Sequence, residues 1–94
     1  MTMTTFDAAD ILTGEFTREA RLADSERAAL TFSTIATYIR FAEGLSGSVD
    51  DLLHDVELFT RRLGSAYSIN THVKVACETA VARIVLLQKV LDHA

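Results

Sequence analysis

Apolar residues recur at alternating intervals of three and four along three stretches of the chain. This periodicity constrains the fold more than any other feature. The positions are Ala28, Phe32, Ile35, Ile39 and Ala42; Val49, Leu52, Val56, Phe59 and Leu63; and Val73, Cys77, Ala80, Ile84, Leu87 and Leu91. Such spacing gathers apolar side chains into one seam, along which a helix packs nearly parallel or antiparallel to another. The sequence therefore predicts an all-α protein, a small antiparallel helical bundle.

The chain of 94 residues has no proline and only four glycines, so little interrupts a long helix. The glycines mark the predicted breaks: Gly14, Gly44, Gly47 and Gly64. Together with polar N-cap residues, they divide the chain into three main helices, predicted at 24–43, 48–63 and 70–93. No repeat or linker separates these segments, so residues 1–94 are interpreted as a single helical domain.

The first 23 residues are predicted to form an N-terminal arm or a short helix. Thr4 and Asp7 have the spacing of a capping box, which favours a helix from about residue 6 to residue 12. Gly14 suits the end of that helix. The alternative is a small hairpin around Thr13 and Gly14, although no long alternating pattern supports it.

The eleven residues from Ala29 to Ile39 contain no charged side chain. Their small hydroxyl groups can bond to their own backbone, so they can be buried without a charged partner. The second and fourth helices thus carry more apolar surface than one neighbour covers, which predicts a homodimer. The predicted self-association residues are Leu30, Phe32, Ile35, Tyr38, Ile39, Phe41, Val81, Val85 and Leu86. The alternative is that the N-terminal arm folds over this surface.

The third helix carries acidic residues away from its apolar seam. These residues, predicted to bind a partner, are Asp50, Asp51, Asp55 and Glu57. An acidic face steers association with a basic protein, so the expected partner is a basic or nucleic-acid-binding protein that this chain antagonises. Direct binding to nucleic acid is not expected, because the formal charge is -4 and no basic patch stands out.

Catalytic, metal and cofactor sites are not predicted. The three histidines lie on different segments, and the spacing of Asp50 and His54 is explained as a solvated helix face. Cys77 falls in an apolar seam, where a free cysteine behaves as a small apolar residue. The loop around Gly44 and Gly47 matches no phosphate-binding motif.

Single-cysteine composition fits a reducing compartment. The N-terminal residues lack the basic region of a signal peptide, and no apolar run approaches the ~20 residues of a membrane-spanning helix. We therefore expect a cytoplasmic protein that makes no membrane contact.

In size and helix layout, rather than in any shared motif, the chain resembles small quorum-sensing antiactivators that sequester a transcription factor. This resemblance implies antagonism by protein–protein contact and assigns no residue a role. The leading hypothesis is a small, non-enzymatic regulatory or adaptor protein that self-associates. One alternative is a ligand-binding or enzymatic bundle, with a cavity lined by Phe32, Tyr38 and Phe41. A second is a DNA-binding regulator, although the turn before the fourth helix is long for a helix-turn-helix.

Overall fold

The computed structural model describes residues 3–93, which form four α-helices and no strand. The helices are α1 (Thr5–Leu22), α2 (Glu26–Glu43), α3 (Val49–Ala66) and α4 (Thr71–Asp92). The prediction of an all-α helical bundle is thus confirmed. Residues 1, 2 and 94, which the predicted domain includes, lie outside the described range.

The predicted N-terminal arm is a complete helix, and Gly14 lies within it rather than at its end. The expected capping box is present: Asp7 N donates to Thr4 Oγ1 (3.0 Å) and Thr4 N donates to Asp7 Oδ2 (3.1 Å). The helix predicted from about residue 6 to residue 12 is therefore part of a longer helix, and the alternative hairpin is wrong. The physical reason is an apolar stripe that spans Gly14, because Leu12 and Phe16, four residues apart, are both buried in the core.

The third helix passes through Gly64 and ends at Ala66, beyond the predicted end at residue 63. Its N-cap is Ser48, whose side chain accepts from Asp51 N at 3.1 Å. Gly64 faces α4 so closely that a Cβ atom there would lie 2.9 Å from the Cβ of Cys77. This glycine therefore permits a helix contact instead of ending a helix.

The four helices pack as two antiparallel hairpins joined through α2. In the first hairpin, Phe16 stacks with Phe32 and Asp10 pairs with Arg40, so early residues of α1 meet late residues of α2. In the second, Gln88 near the end of α4 donates to Glu57 in α3 at 3.2 Å. Helix α2 packs against all three other helices.

The core lies between the four helices and draws on each of them. Its largest fully buried side chains are Leu12, Phe16, Ile35, Ile39, Leu52, Leu53, Val56, Thr60 and Ile84. The hydroxyl of Thr60 donates to the Val56 carbonyl at 2.8 Å, so this buried polar group is satisfied within its own helix. In the described part of the chain, no helix is long and apolar enough to cross a membrane.

Candidate interaction surface

The outer side of α2 exposes uncharged side chains over three helical turns. Leu30 and Phe41 are 67% and 64% exposed, and Ser33, Thr34 and Thr37 between them are also exposed. We call these five residues the α2 surface. The Thr34 hydroxyl donates to the Leu30 carbonyl (2.8 Å) and the Thr37 hydroxyl to the Ser33 carbonyl (3.0 Å). Because their donors are already used, covering these threonines leaves no hydroxyl proton without a partner.

Tyr38 lies at the boundary between α2 and α3. Its ring stacks on Phe59 with centroids 3.8 Å apart and an interplanar angle of 4°. Its hydroxyl donates to Asp55 Oδ1 at 2.9 Å. Burial raises the pKa of the Tyr38 phenol, and the Asp55 carboxylate raises it further, so the neutral hydroxyl is held as a donor.

An open groove follows this boundary. Its central part, about 530 Å³, is lined by the α2 surface together with Tyr38 and Phe59. A second depression of about 340 Å³ shares Leu30 and Thr34 with the first and extends to Tyr67 at the end of α3. The two depressions form one apolar groove between Tyr67 and Phe41.

Two charges of opposite sign border this groove on α3. Asp55 and Arg62 are seven residues apart, which places them two helical turns apart on the same edge of the helix. Arg62 is exposed and forms no salt bridge with any residue from 3 to 93. It lies close enough to Tyr38 to oppose the rise in the pKa of that phenol.

Three of the predicted self-association residues are not available to a second chain. Phe32, Ile35 and Ile39 are buried in the chain's own core, with at most 5% exposure. They belong to the seam that meets α1, α3 and α4, so assigning them to an interface is a mistake that the structure corrects. Leu30, Tyr38 and Phe41 lie on the open groove.

The α2 and α4 residues predicted for self-association do not share one surface. The two helices pack against each other, so their exposed sides face away from one another. On α4, Val81 and Val85 are half-buried, and Leu86 is 58% exposed. A closed two-fold dimer uses one self-complementary patch, so only one of these sides can form it.

The four predicted partner-binding acids do not form one face. Asp55 turns towards α2, where it accepts from Tyr38. Glu57 turns towards α4, accepting from Arg61 (2.8 Å) and Gln88 (3.2 Å). The Arg61 hydrogen bond is the main reason why the pKa of Glu57 lies below its usual value. Of these four acids, only Asp50 and Asp51, in the first turn of α3, are exposed rather than half-buried.

The predicted ligand cavity is also divided. Phe32 stacks with Phe16 at 6.1 Å in the core, whereas Tyr38 and Phe41 line the outer groove.

Cys77 is buried, which confirms its predicted packing role, and burial raises the pKa of its thiol. Within residues 3–93, no three His, Cys, Asp or Glu side chains are placed to hold a metal ion.

Sequence reasoning did not assign Phe59 or Arg62 to this surface. Phe59 belongs to the apolar seam of α3, and only its contact with Tyr38 identifies it as part of the groove. The seven-residue interval between Asp55 and Arg62 was visible in the sequence. It would have pointed to a charged edge of α3.

Comparison of the chain with protein-family models, with curated proteins and with solved structures found no match. Its function is therefore inferred from its own residues.

Proposed function

We propose that this protein is a small, non-enzymatic regulator that acts through protein–protein contacts and self-associates through the α2 surface. The observation that carries the proposal is the uncharged outer side of α2, with Leu30 and Phe41 both more than 60% exposed beside a groove. Monomeric proteins rarely leave a continuous apolar patch larger than a few hundred Å² uncovered. Covering apolar surface contributes about 25 cal/mol per Å², which favours association at this patch.

Two further elements of the proposal concern its setting. Asp50 and Asp51 are the acids that would steer a basic partner, because they project from the first turn of α3 without a salt bridge inside residues 3–93. A cytoplasmic location fits the single, buried cysteine.

Sedimentation velocity over a wide range of protein concentrations tests the proposal. We expect a reversible dimer for the unmodified chain. Leu30→Asp and Phe41→Asp should each weaken the dimer at least tenfold, because a dry contact would then bury a charge without a partner. Leu86→Asp is the matched control, since Leu86 is similarly exposed but lies on the outer side of α4.

All three substitutions are at exposed positions, so the melting temperature of dilute protein should change little. A chain that stays monomeric at the highest concentration contradicts the proposal. Equal weakening by all three substitutions contradicts the choice of the α2 surface.

A further inference from the structure

We propose that the occupant of the α2 surface is a second copy of this chain, docked antiparallel about a two-fold axis between Thr34 and Thr37. This inference rests on the proposed function and specifies the partner, the direction and the register. It follows from the side-chain order on α2, the charges on α3 and the area that is exposed.

Four of the five residues of the α2 surface are arranged symmetrically by side-chain size about its midpoint, whereas Ser33 has the larger Tyr38 as its counterpart. Thr34 and Thr37 flank the midpoint closely, and Leu30 and Phe41 stand equally far from it on either side. In a reversed copy, Leu30 therefore lies opposite Phe41, and Thr34 opposite Thr37. Small side chains at the crossing point let the helices approach, while the large apolar pairs close both sides.

The charges on α3 select the antiparallel direction. Tyr38 contacts both Asp55 and Phe59, so the α2 midpoint is level with about residue 60 of the antiparallel α3. Asp55 and Arg62 lie on either side of that level. A reversed copy brings Asp55 of one chain level with Arg62 of the other to within about 3–5 Å, measured along the helix axis. This pairing occurs twice in the antiparallel dimer. In a parallel dimer, each residue would instead be level, along the helix axis, with the same residue of the other chain, so the opposite charges would not pair.

The two ends of the groove are complementary in the same register. Leu45, 73% exposed, follows α2 at one end, and Tyr67, 57% exposed, stands at the other. Arg27 and Tyr67 line the same depression. In the antiparallel dimer, Leu45 of one copy lies opposite residue 26 of the other copy, next to Arg27. Because Arg27 lines the same depression as Tyr67, Leu45 of each copy lies at the Tyr67 end of the other copy's groove.

Large apolar side chains are exposed along the whole groove. Leu30, Phe41, Leu45 and Tyr67 are each between 57% and 73% exposed. A standard interface buries about 800 Å² on each partner, and one groove lined by such side chains is a small patch by that measure. We therefore expect a reversible dimer rather than an obligate one.

Disulfide trapping tests the direction directly. Leu30→Cys and Phe41→Cys are made in a Cys77→Ala background, so that no native thiol remains. In the antiparallel dimer, position 30 meets position 41 of the other copy, while the two positions 30 are about 16 Å apart. A disulfide requires Cα atoms within about 7 Å. Under mild oxidation, an equal mixture of the two variants should cross-link at least fivefold more than either variant alone.

The outcomes separate this inference from the proposed function. Efficient cross-linking of each variant alone would indicate a parallel pair and overturn the inference, although self-association through α2 would stand. Failure of the mixture to cross-link, in a chain that sediments as a dimer, overturns the register. A chain that never dimerises overturns both proposals.

A charge exchange provides a second test that leaves the α2 surface intact. Asp55→Arg and Arg62→Asp should each raise the dimer Kd about tenfold, because each places like charges opposite one another. The double variant should return the Kd to within about threefold of the original. Restoration cannot come from the Tyr38 hydrogen bond, because the double variant also lacks the Asp55 acceptor. Arg18→Asp, at an exposed position on α1, is the control and should leave the Kd unchanged.

Discussion

Helix α2 is apolar on two sides, but only one of them is packed. Ile35 and Ile39 on the inner side have no exposed area, whereas Leu30 and Phe41 on the outer side are mostly exposed. The inner residues follow the intervals of three and four that also occur in the facing helices, so the seams fit together. The outer residues alternate with small hydroxyl side chains, and no helix within residues 3–93 covers them. Burial here is decided by matching neighbours rather than by apolar content.

Substitution on the two sides of α2 should produce the largest contrast. Ile39→Ala removes a fully buried side chain and should lower the free energy of unfolding by about 2–5 kcal/mol. Phe41→Ala removes a larger but exposed side chain and should lower it by less than about 0.5 kcal/mol in dilute, monomeric protein. Urea denaturation at low protein concentration measures both.

If Ile39→Ala does not fold, Ile39→Val replaces it in this comparison. The Ile39→Val substitution should lower the free energy of unfolding by about 0.5–1.5 kcal/mol. The comparison breaks down if Phe41→Ala destabilises the monomer as much as the Ile39 variants do. That result would mean that the outer side of α2 is packed within one chain.

Gly64 and Gly14, the two glycines within helices, also differ in whether another helix packs against them. Gly64→Ala would place a Cβ atom 2.9 Å from the Cβ of Cys77, which cannot move as a flexible chain end can. We expect a loss of about 1–3 kcal/mol in the free energy of unfolding. Gly14→Ala meets nothing within 4 Å and should instead stabilise the protein by about 0.5–1 kcal/mol through helix propensity.

Thermal denaturation of the two glycine variants should therefore shift the melting temperature in opposite directions. Stabilisation by Gly64→Ala would show that α3 and α4 are not in close contact. Destabilisation by Gly14→Ala would show that the outer side of α1 is covered.

Much of the fold was predictable because its periodicity is local. The seams of α2, α3 and α4 place most core residues from sequence alone. The second half of the N-terminal helix was missed because Gly14 was interpreted as its end, although Leu12 and Phe16 continue the apolar stripe past it. A glycine ends a helix or permits a contact according to what faces it, and the facing residue at Gly64 is supplied by another helix.

The candidate site was less predictable because it depends on which side of each helix faces a neighbour. The sequence marks Leu30, Tyr38 and Phe41 as surplus apolar residues beside the seam. Without the packing partners, however, it does not show that the seam residues Ile35 and Ile39 are fully covered within one chain. Likewise, Asp55 and Glu57 share a helix and a charge, yet they contact opposite neighbours. Tertiary contacts decide these differences.

Tyr38 lies where the packed and open sides of α2 meet. Removing its hydroxyl should change the free energy of unfolding by only a modest amount, because only one hydrogen bond is lost. Tyr38→Phe keeps the ring that stacks on Phe59 and removes only the hydroxyl that donates to Asp55. We expect a loss of about 0.5–1.5 kcal/mol in the free energy of unfolding near neutral pH.

The pH dependence of this loss identifies its origin. The folded pKa of Tyr38 lies above the ordinary value of 10.0, first because of burial and then because of Asp55. Ionisation therefore favours the unfolded chain, so the stability from this group is complete below pH 10 and is lost as the pH rises through the folded pKa. Urea denaturation of the original and Tyr38→Phe proteins at pH 8 and at rising alkaline pH should show the difference between them shrinking. A difference that stays constant with pH would mean that the phenol is as exposed in the folded protein as in the unfolded one. The edge of the groove would then be open to water rather than closed by the contact between Tyr38 and Asp55.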